Sequence, residues 1–377
     1  MQPLDLISRF SELRDPRIDR TKRYPLIEII FLIISATVSG CDGWKSIRDF
    51  GVIKLEWLRK FLPYKEGIPV DDTIARVMRR INTKHFRHCF LQWIKSISKK
   101  TEGDIVAIDG KTLRGSYDDN SDKAAIHMVS AWSTANSLVL GQEKTSEKSN
   151  EITAIPELLN VLDLKGCIVS IDAMGCQTEI AKKIIKKEAD YILALKGNQG
   201  NLYDDVNCFF KDALINNFKN IEHNFYEDFD SGHGRVETRQ CWVVDPQQCN
   251  ECFSHLEKWS NLQKIIMIKT KREMKEKTTE DTRFYISSRN TDARFFSEAI
   301  RKHWQVENSL HWTLDVTMKE DASRIRTEAS PENYATIRHI ALNIIRNDKS
   351  TKASVKRKMN MAALDDNFRF NLLKQAI

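Results

Sequence analysis

Two short apolar runs, Ile105 to Ile108 and Cys167 to Ile171, each lead straight into an aspartate, Asp109 and Asp172. Each run has the length and side chains of a buried strand. A single Asp-Gly step is a common strand terminator, and either aspartate alone would be read that way; the recurrence asks for more. After the first come two short strands, "IHMVSAWS" and "SLVLGQEK", and a helix, "NEITAIPELLNVL", with Asn150 as its cap and Glu151 in its first turn. After the second come a helix, "CQTEIAKKIIKKE", and a strand, "DYILALK". Three antiparallel strands followed by helix, strand, helix and strand predict a mixed α/β sheet with a parallel crossover portion. In such a sheet the first and fourth strands can lie side by side, each ending on its aspartate at one sheet edge.

Two close carboxylates repel each other unless one holds a proton or a cation bridges them. Hard divalent cations with oxygen ligands, Mg²⁺ above all, form that bridge. A pair of such ions roughly 3.5–4 Å apart activates a water or hydroxyl and stabilises the leaving oxygen of an in-line phosphodiester displacement. A third carboxylate completes the cage. Glu307 in "RKHWQVENSLHW" is the first choice, because on a helix it shares a face with Trp304 and His311. Asp315 and the Glu320-Asp321 pair compete with it. The stretch "ARFFSEAIRKHWQVENSLHWTLDV" has the apolar spacing of one long helix.

Charge supports a polyanionic partner. The net charge of +7 divides into +9 over residues 1–100, −7 over 101–344 and +5 over 345–377. Basic ends around an acidic middle suit a chain that binds a polyanion and holds cations centrally, although a solvated surface would show the same numbers. The most apolar run, Leu26 to Val38, is too short for a membrane span and carries Glu28. Met1 is not followed by a signal-peptide pattern, and the eight cysteines are scattered, so a cytosolic protein with free thiols is expected.

Residues 1–100 read as all-helical. "YPLIEIIFLIISATVSG" is a buried helix, "WKSIRDFGVIKLEWLRKFL" an amphipathic one, and two more follow with a break near Asn82-Thr83. Asp71 or Asp72 can cap the first of that pair, which also carries Arg76, Arg79 and Arg80. The pair is open to two readings, a helix-turn-helix on DNA or a plain helical hairpin. Between 205 and 290 lies a less regular, β-rich region with strands at "RVETRQCWVV", "KIIMIKT" and "TRFYISS". Cys249, Cys252 and His255, with Cys241 before them, fit no strong zinc spacing. "LKGNQGN" lacks the P-loop spacing.

The ordered series "AIDGKTLRGS", "HMVSAW", "KSNEITAIPELL", "IDAMGCQ", "ADYILALKGNQ", "HGRVETR", "YISS", "HWQVENSLHWTLDV" and "EDASRIR" resembles the DDE transposases of the ISAs insertion-sequence group. That group includes the H-repeat-associated proteins linked to Rhs elements. The resemblance runs from about residue 5 to about residue 346. It implies an α/β fold in three parts. Residues 1–100 would form an all-helical N-terminal associated, DNA-binding domain. Residues 101–346 would form a ribonuclease-H-like mixed-sheet catalytic core, with a β-rich insertion at about 205–290. Residues 347–377 would be a basic C-terminal tail. It carries over Asp109, Asp172 and Glu307 as the catalytic and metal-binding triad, with Mg²⁺ in a two-metal site and Mn²⁺ as a substitute.

By the same resemblance Lys111 and Arg114 meet the phosphates, and His233, Arg235 and Arg239 are DNA contacts, with a solvated strand face as the other reading of those three. Lys196, at the end of its strand near the presumed metal edge, His303 and Trp304 are further DNA-contact candidates, as are Arg76, Arg79 and Arg80 of the helical region on charge. Trp304 and Trp312 can stack on a flipped base or pack in the core. Related enzymes carry Tyr, Arg, Glu and Lys at fixed spacing around the catalytic Glu. Here those positions are Ile300, His303, Glu307 and Leu314, so the Arg and Lys roles do not transfer. The implied partners are the element's terminal repeats and target DNA, with a homodimer or larger synaptic assembly, and with neither membrane nor small-molecule cofactor. The implied place is the bacterial cytoplasm, at the nucleoid. Two rivals stay open at this stage: an inactive or repurposed DNA-binding relative, and a metal-dependent nuclease or resolvase on the same fold.

Overall fold

The computed structural model describes residues 6–99, 101–117, 124–145, 151–232, 234–275 and 277–376. Among them, six helices come first: α1 (Leu6–Ser11), α2 (Leu26–Val38), α3 (Trp44–Ile53), α4 (Leu55–Leu58), α5 (Asp71–Arg80) and α6 (Thr83–Ile97). Strands β1 (Ile105–Leu113), β2 (Ile126–Ser133) and β3 (Leu138–Lys144) follow, then α7 (Glu151–Val161), β4 (Ile168–Ile171), α8 (Thr178–Lys186), β5 (Asp190–Leu195) and α9 (Gly200–Ile215). Next are β6 (His223–Gly232), β7 (Arg235–Val244), β8 (Lys264–Met274), β9 (Lys277–Ser287) and α10 (Ala293–His303). Two π-helical turns, Glu307–His311 and Thr313–Thr317, precede α11 (Ser330–Asn347), α12 (Val355–Leu364) and α13 (Asp366–Lys374). The chain divides into two compact units, one of residues 1–99, 110–148 and 307–377 and the other of 100–109 and 149–306.

The first unit is built around α11. Its 18 residues are buried on nearly every side, and its two asparagines, Asn333 and Asn343, bond to neighbouring backbone. Asn333 donates to the carbonyls of Met78 (2.8 Å) and Ile81 (3.1 Å), which closes the C-terminal end of α5. Asn343 accepts from Val139 N and donates to Val139 O, both at 2.9 Å, and so continues β3's hydrogen bonding. These bonds explain how amides survive in a core, since the Asn333 amide nitrogen and both polar atoms of Asn343 find backbone partners. Helix α2 is buried as its apolar sequence requires, and Glu28 inside it accepts from Tyr64 N at 2.8 Å. Asn82 caps α6 as the break there predicts, accepting from His85 N at 3.0 Å. The α5 cap is different: Val70 occupies the cap position, and Asp71 and Asp72 lie in the first turn. The single amphipathic helix expected at 44–62 is broken at Lys54 into α3 and α4.

The expected basic tail is folded. Arg369 of α13 is wholly buried, its guanidinium 4.2 Å from the Trp57 ring centroid and 5.3 Å from that of Phe50. Trp57 Nε1 donates to Asp366 O at 3.0 Å, and Lys54 pairs with the Asp366 carboxylate at 2.8 Å. At the other end, Leu6 N and Trp93 Nε1 both donate to Ala376 O, at 3.0 and 3.2 Å. Counting charges missed this because Arg369 and Lys54 act here as cation–π and ion-pair partners rather than as solvated charge.

In the second unit the strands run β1-β4-β5-β9-β8-β7-β6. β1, β4 and β5 are parallel, with Ile105↔Ile168 to Ile108↔Ile171 and Ile168↔Asp190 to Ile171↔Leu193 in register. β5 to β6 are antiparallel neighbours. Helix α10 packs on one face, where Phe296, Ala299 and Ile300 meet Cys241, Ile266, Ile268 and Tyr285. Two elements of the β-rich region were not read in the sequence: α9 and the strand β6, most of whose residues are exposed or half-exposed. In the first unit β2 and β3 pair antiparallel, with a bulge between Ala131 and Trp132. Among the described residues no helix is long and apolar enough to cross a membrane.

Candidate active site

The β1–β4 register decides the first point. Ile108 lies opposite Ile171, so Asp109 and Asp172 are the next residue on each of two neighbouring parallel strands. Adjacent strands lie about 4.8 Å apart, which places the two residues side by side at one sheet edge. One detail differs from expectation: β1 does not end at Asp109 but continues to Leu113. Asp172 directly follows β4, and its side chain accepts from Met174 N at 3.1 Å to cap the short turn Ala173–Gly175.

That turn is locked from two sides. A Cβ on Gly175 would lie 2.3 Å from Ile171 Cγ2, so the turn packs too closely for any larger residue. The "LKGNQ" loop after β5 clasps it, Asn198 Nδ2 donating to Ala173 O at 2.6 Å and Gln199 Nε2 to Cys176 O at 2.7 Å. Burial raises the Asp172 carboxyl above its ordinary range, and the nearby Glu151 carboxylate adds to the rise. The amides of Gly175 and Met174 and the charge of Lys196 oppose it. Glu151 at the start of α7 is a neighbour the sequence placed only in a helix's first turn. Ligand sites of open parallel sheets form at the carboxyl ends of the strands, and this is such an edge.

Helix α10 is seated by His303. That side chain is buried, with Nδ1 2.8 Å from the Ser170 hydroxyl on β4, two residues before Asp172. His303 is therefore engaged in packing rather than presented at the surface. Trp304 is half-buried against the same core, with the Arg283 guanidinium 4.5 Å from its ring centroid. Trp312, in contrast, is 56% exposed. The long helix expected over 293–316 stops being α-helical after His303 and resumes as the two π turns. Apolar residues at three- and four-residue spacing satisfy either helix type, so the sequence could not separate them. Glu307 opens the first π turn; it is exposed, and its side chain has no hydrogen bond or ion pair to any other described residue.

The three competitors for the third carboxylate are already engaged. Lys111, whose side chain is only 10% exposed, pairs with Asp315, with Glu320 at 2.6 Å and with Asp321 at 3.7 Å. Burial alone would lower the Lys111 ammonium; the Glu320 and Asp315 carboxylates outweigh it and raise it. Burial would likewise raise Glu320, and Lys111, Arg338 and His339 bring it below its ordinary value. Lys111 is thus enclosed in an ion cluster, not presented to a phosphate as the sequence led us to expect. Arg114 is presented: its side chain is 82% exposed, with Asp321 at 3.7 Å.

His339 of α11 lies on the same cluster, facing Glu320, Lys111, His311 and Arg338, and burial pulls its imidazole down to about 4. The fold therefore holds it neutral, while the unfolded chain takes up its proton near pH 6.5. Stability should fall as pH drops from about 6.5 to about 4, by about 3 kcal/mol from this one group. Denaturant unfolding of wild type and His339→Gln across that window checks it, the variant losing this part of the slope.

The remaining candidates are dispersed. Arg76 and Arg80 are exposed one turn apart on α5, while Arg79 is half-buried. Its partner α6 buries Phe86, Phe90, Trp93 and Ile94 and pairs Arg87 with Glu143 at 2.5 Å, so that helix is occupied with packing. Arg235 and Arg239 share one face of β7, as the two-residue period requires. Arg235 is exposed, whereas Arg239 is tied to Glu237 at 2.9 Å, as is Arg272 at 2.8 Å. Lys196 is exposed just past β5. His233, and Asn150 as a cap, lie outside the described residues. Cys241 is buried in the α10 core, away from any zinc role, and among the described residues no three His, Cys, Asp or Glu side chains gather as a metal site.

Comparison with known proteins bears on this arrangement. Residues 100–344 match the family described as Transposase DDE domain, and residues 7–94 the one described as DDE_Tnp_1-associated. "Putative transposase YncI" of Escherichia coli O157:H7 is 47% identical over 365 residues, covering 96% of this chain and 92% of that protein. "H repeat-associated putative transposase YhhI" of Escherichia coli (strain K12) is 44% identical over 378 residues, covering 99% and 98%. Among solved structures, a piggyBac transposase synaptic complex with hairpin DNA aligns with 98% of this chain and 78% of that one at 11% identity, with a TM-score of 0.44, too slight a likeness to carry a conclusion. With a DDE domain over most of its length and transposase relatives matching it end to end, the chain belongs to the DDE transposase family and is an enzyme that acts on DNA.

Proposed function

We propose that this transposase serves a bacterial insertion sequence, binding the element's ends, cutting them and joining the freed 3′ ends to target DNA. The observation that carries the reading is the β1–β4 register, which sets Asp109 beside Asp172 at the carboxyl edge of parallel strands. The resemblance to the family supplies Glu307 as the third carboxylate, and among the acidic residues of the 307–321 stretch it is the one whose side chain has no partner among the described residues. A ribonuclease-H-like core is the matching architecture, with the β2–β3 pair and the parallel β1, β4 and β5 as its parts and residues 1–100 as a DNA-binding accessory.

The family is in general divalent-metal dependent, and the residues fit such an ion. Their donors are hard oxygens, and the raised Asp172 marks a site where negative charge lacks compensation. A divalent ion, Mg²⁺ with Mn²⁺ as substitute, would lower the pKa of a bound water and neutralise charge developing on the phosphate. Asp109, Asp172 and Glu307 would hold it. Arg114, Lys196 and Arg235 are the exposed cations that would position phosphates, with Arg76 and Arg80 gripping flanking duplex. Water attacks phosphorus, the 3′ oxygen leaves with a proton, and that hydroxyl then attacks target phosphorus in the same way. Such chemistry needs little from the protein beyond positioning and charge. The resemblance to the family implies a synaptic assembly of two or more copies that holds both ends at once, acting at the nucleoid where its DNA lies.

The test incubates a labelled duplex carrying the element's end with target DNA and Mg²⁺. Joined product is expected. Cut but unjoined DNA would make the chain a nuclease, and tight binding without cutting under any divalent ion a DNA-binding relative. Independently of activity, Mg²⁺ or Mn²⁺ at ten times its Kd should stabilise wild type by about 1.4 kcal/mol, and Asp172→Asn far less, as read by thermal unfolding.

A further inference from the structure

Lys111 stands two residues beyond Asp109, yet nothing in the reading above uses it. Its ammonium reaches Asp315, in the second π turn, and Glu320 and Asp321 just after that turn. Glu320 is buried to 3% exposure, and Glu320 N donates to Leu314 O at 2.9 Å, so the loop and the π turn are one piece. Arg346 of α11 holds the other side of the run, donating to Ser309 O, with its guanidinium 4.8 Å from the Trp132 ring centroid. Thr313 Oγ1 donates to Ser309 O at 2.8 Å and ties the two π turns together.

π-Helical turns are rarer and less well bonded than α-helix and persist where surrounding contacts fix them. Glu307 has no such contact of its own, so its place is set by whatever clamps the run it begins. We propose that Lys111 is a positioning residue, clamping through Asp315 and Glu320 the π-helical run that carries Glu307, and that it does not touch DNA. The "EDASRIR" segment gains a purpose by this: Glu320 and Asp321 accept the ammonium, and Arg326 Nε donates to Gly115 O at 3.0 Å to hold the strand's far end. The proposal rests on the reading of Glu307 as the third carboxylate.

The experiment compares wild type with Lys111→Met, Lys111→Arg, Asp315→Ala and Glu307→Gln, in the full-length protein, for end binding, single-turnover cleavage and hydrogen exchange. Lys111→Met should slow cleavage at saturating DNA about 100-fold, the cost of roughly 1 Å of misplacement. It should raise the half-saturating Mg²⁺ about tenfold, as loss of a group orienting a metal ligand does. The Kd for the end and its salt dependence should stay within twofold of wild type. Amides of 307–317 should exchange at least about tenfold faster, as a local opening does, while those of α10 do not change. Asp315→Ala should repeat the exchange and rate effects with the fold intact, because the Asp315 side chain is far less buried than that of Glu320; Lys111→Arg should recover part of the rate.

A Lys111→Met protein that cleaves at the wild-type rate once saturated, but binds the end more weakly with a salt slope shallower by about one, would make Lys111 a phosphate contact and overturn the proposal. So would unchanged exchange over 307–317 in both Lys111→Met and Asp315→Ala. A Glu307→Gln protein of wild-type activity would instead remove the reading beneath it, and the exchange data would separate that failure from a failure of the clamp.

Discussion

Asp109→Asn, Asp172→Asn and Glu307→Gln should each slow cleavage of an element end by about 10³-fold or more, with end binding retained. Each substitution keeps size and hydrogen bonding but removes the charge that holds the cation. Losing several kcal/mol of charge stabilisation at the phosphate is a loss of that order in rate. Binding should survive because these carboxylates oppose a polyanion, and Asp172→Asn should bind the end slightly tighter without metal. The three should also differ in stability. Asp172 carries a raised carboxyl, disfavoured by burial and by Glu151. Between its ordinary and its raised value the folded state holds the proton better than the unfolded one, so stability falls as pH rises through that window. Asp172→Asn removes this loss and should be at least as stable as wild type at pH 7, whereas exposed Glu307 should be neutral. A duplex-nicking assay with metal-free binding, followed by denaturant unfolding, checks all of this. If Glu307→Gln alone cleaves normally, the third carboxylate lies elsewhere.

The second large effect is on folding. Gly115 is the next-to-last residue of the "DGKTLRGS" segment, and a Cβ there would lie 2.3 Å from the Ser323 carbonyl oxygen and 2.8 Å from that of Asp321. Both are backbone atoms, so no side chain can swing away. The turn around Gly115 is also fixed by Ser116, whose hydroxyl donates to Leu113 O and accepts from Ile126 N, each at 2.7 Å. Gly115→Ala must therefore push the 321–323 backbone off the strand end, and we expect a loss of about 3 kcal/mol, at the upper end for overpacking by one methyl. Gly197→Ala, with nothing within 4 Å of its Cβ, is the control and should fall within about 0.5 kcal/mol of wild type. Urea unfolding distinguishes the two; equal stability would mean that the strand end and the 321–323 loop part readily.

What the sequence revealed and what it hid divide along physical lines. Strands β2 and β7 were bounded correctly because their apolar and turn residues are local signals. The pairing of β1 with β4 was also foreseeable, since a parallel crossover leaves few alternatives. The strand β6 was missed because its partly wet faces give HNFYEDFDSG no two-residue hydrophobic rhythm. Lys111 looked like a phosphate ligand because a lysine beside a catalytic-looking aspartate is read as exposed. Only the fold shows that three carboxylates some 200 positions later surround it. The same long-range pairing engages Asp315, Glu320 and Asp321, the three acidic residues that competed with Glu307. His303 likewise looked like a surface contact until Ser170 was found to hold it.

The two ends of the chain are stitched to each other. Leu6 and Trp93 both bond to Ala376, while Lys54 and Trp57 hold Asp366 and Arg369 fills the space beneath Phe50 and Trp57. The first hundred residues thus cannot finish folding until residues 366–376 have been synthesised. A stop codon or frameshift at about position 365 would spare every candidate active-site residue, yet leave the N-terminal helices without the residues that close over them.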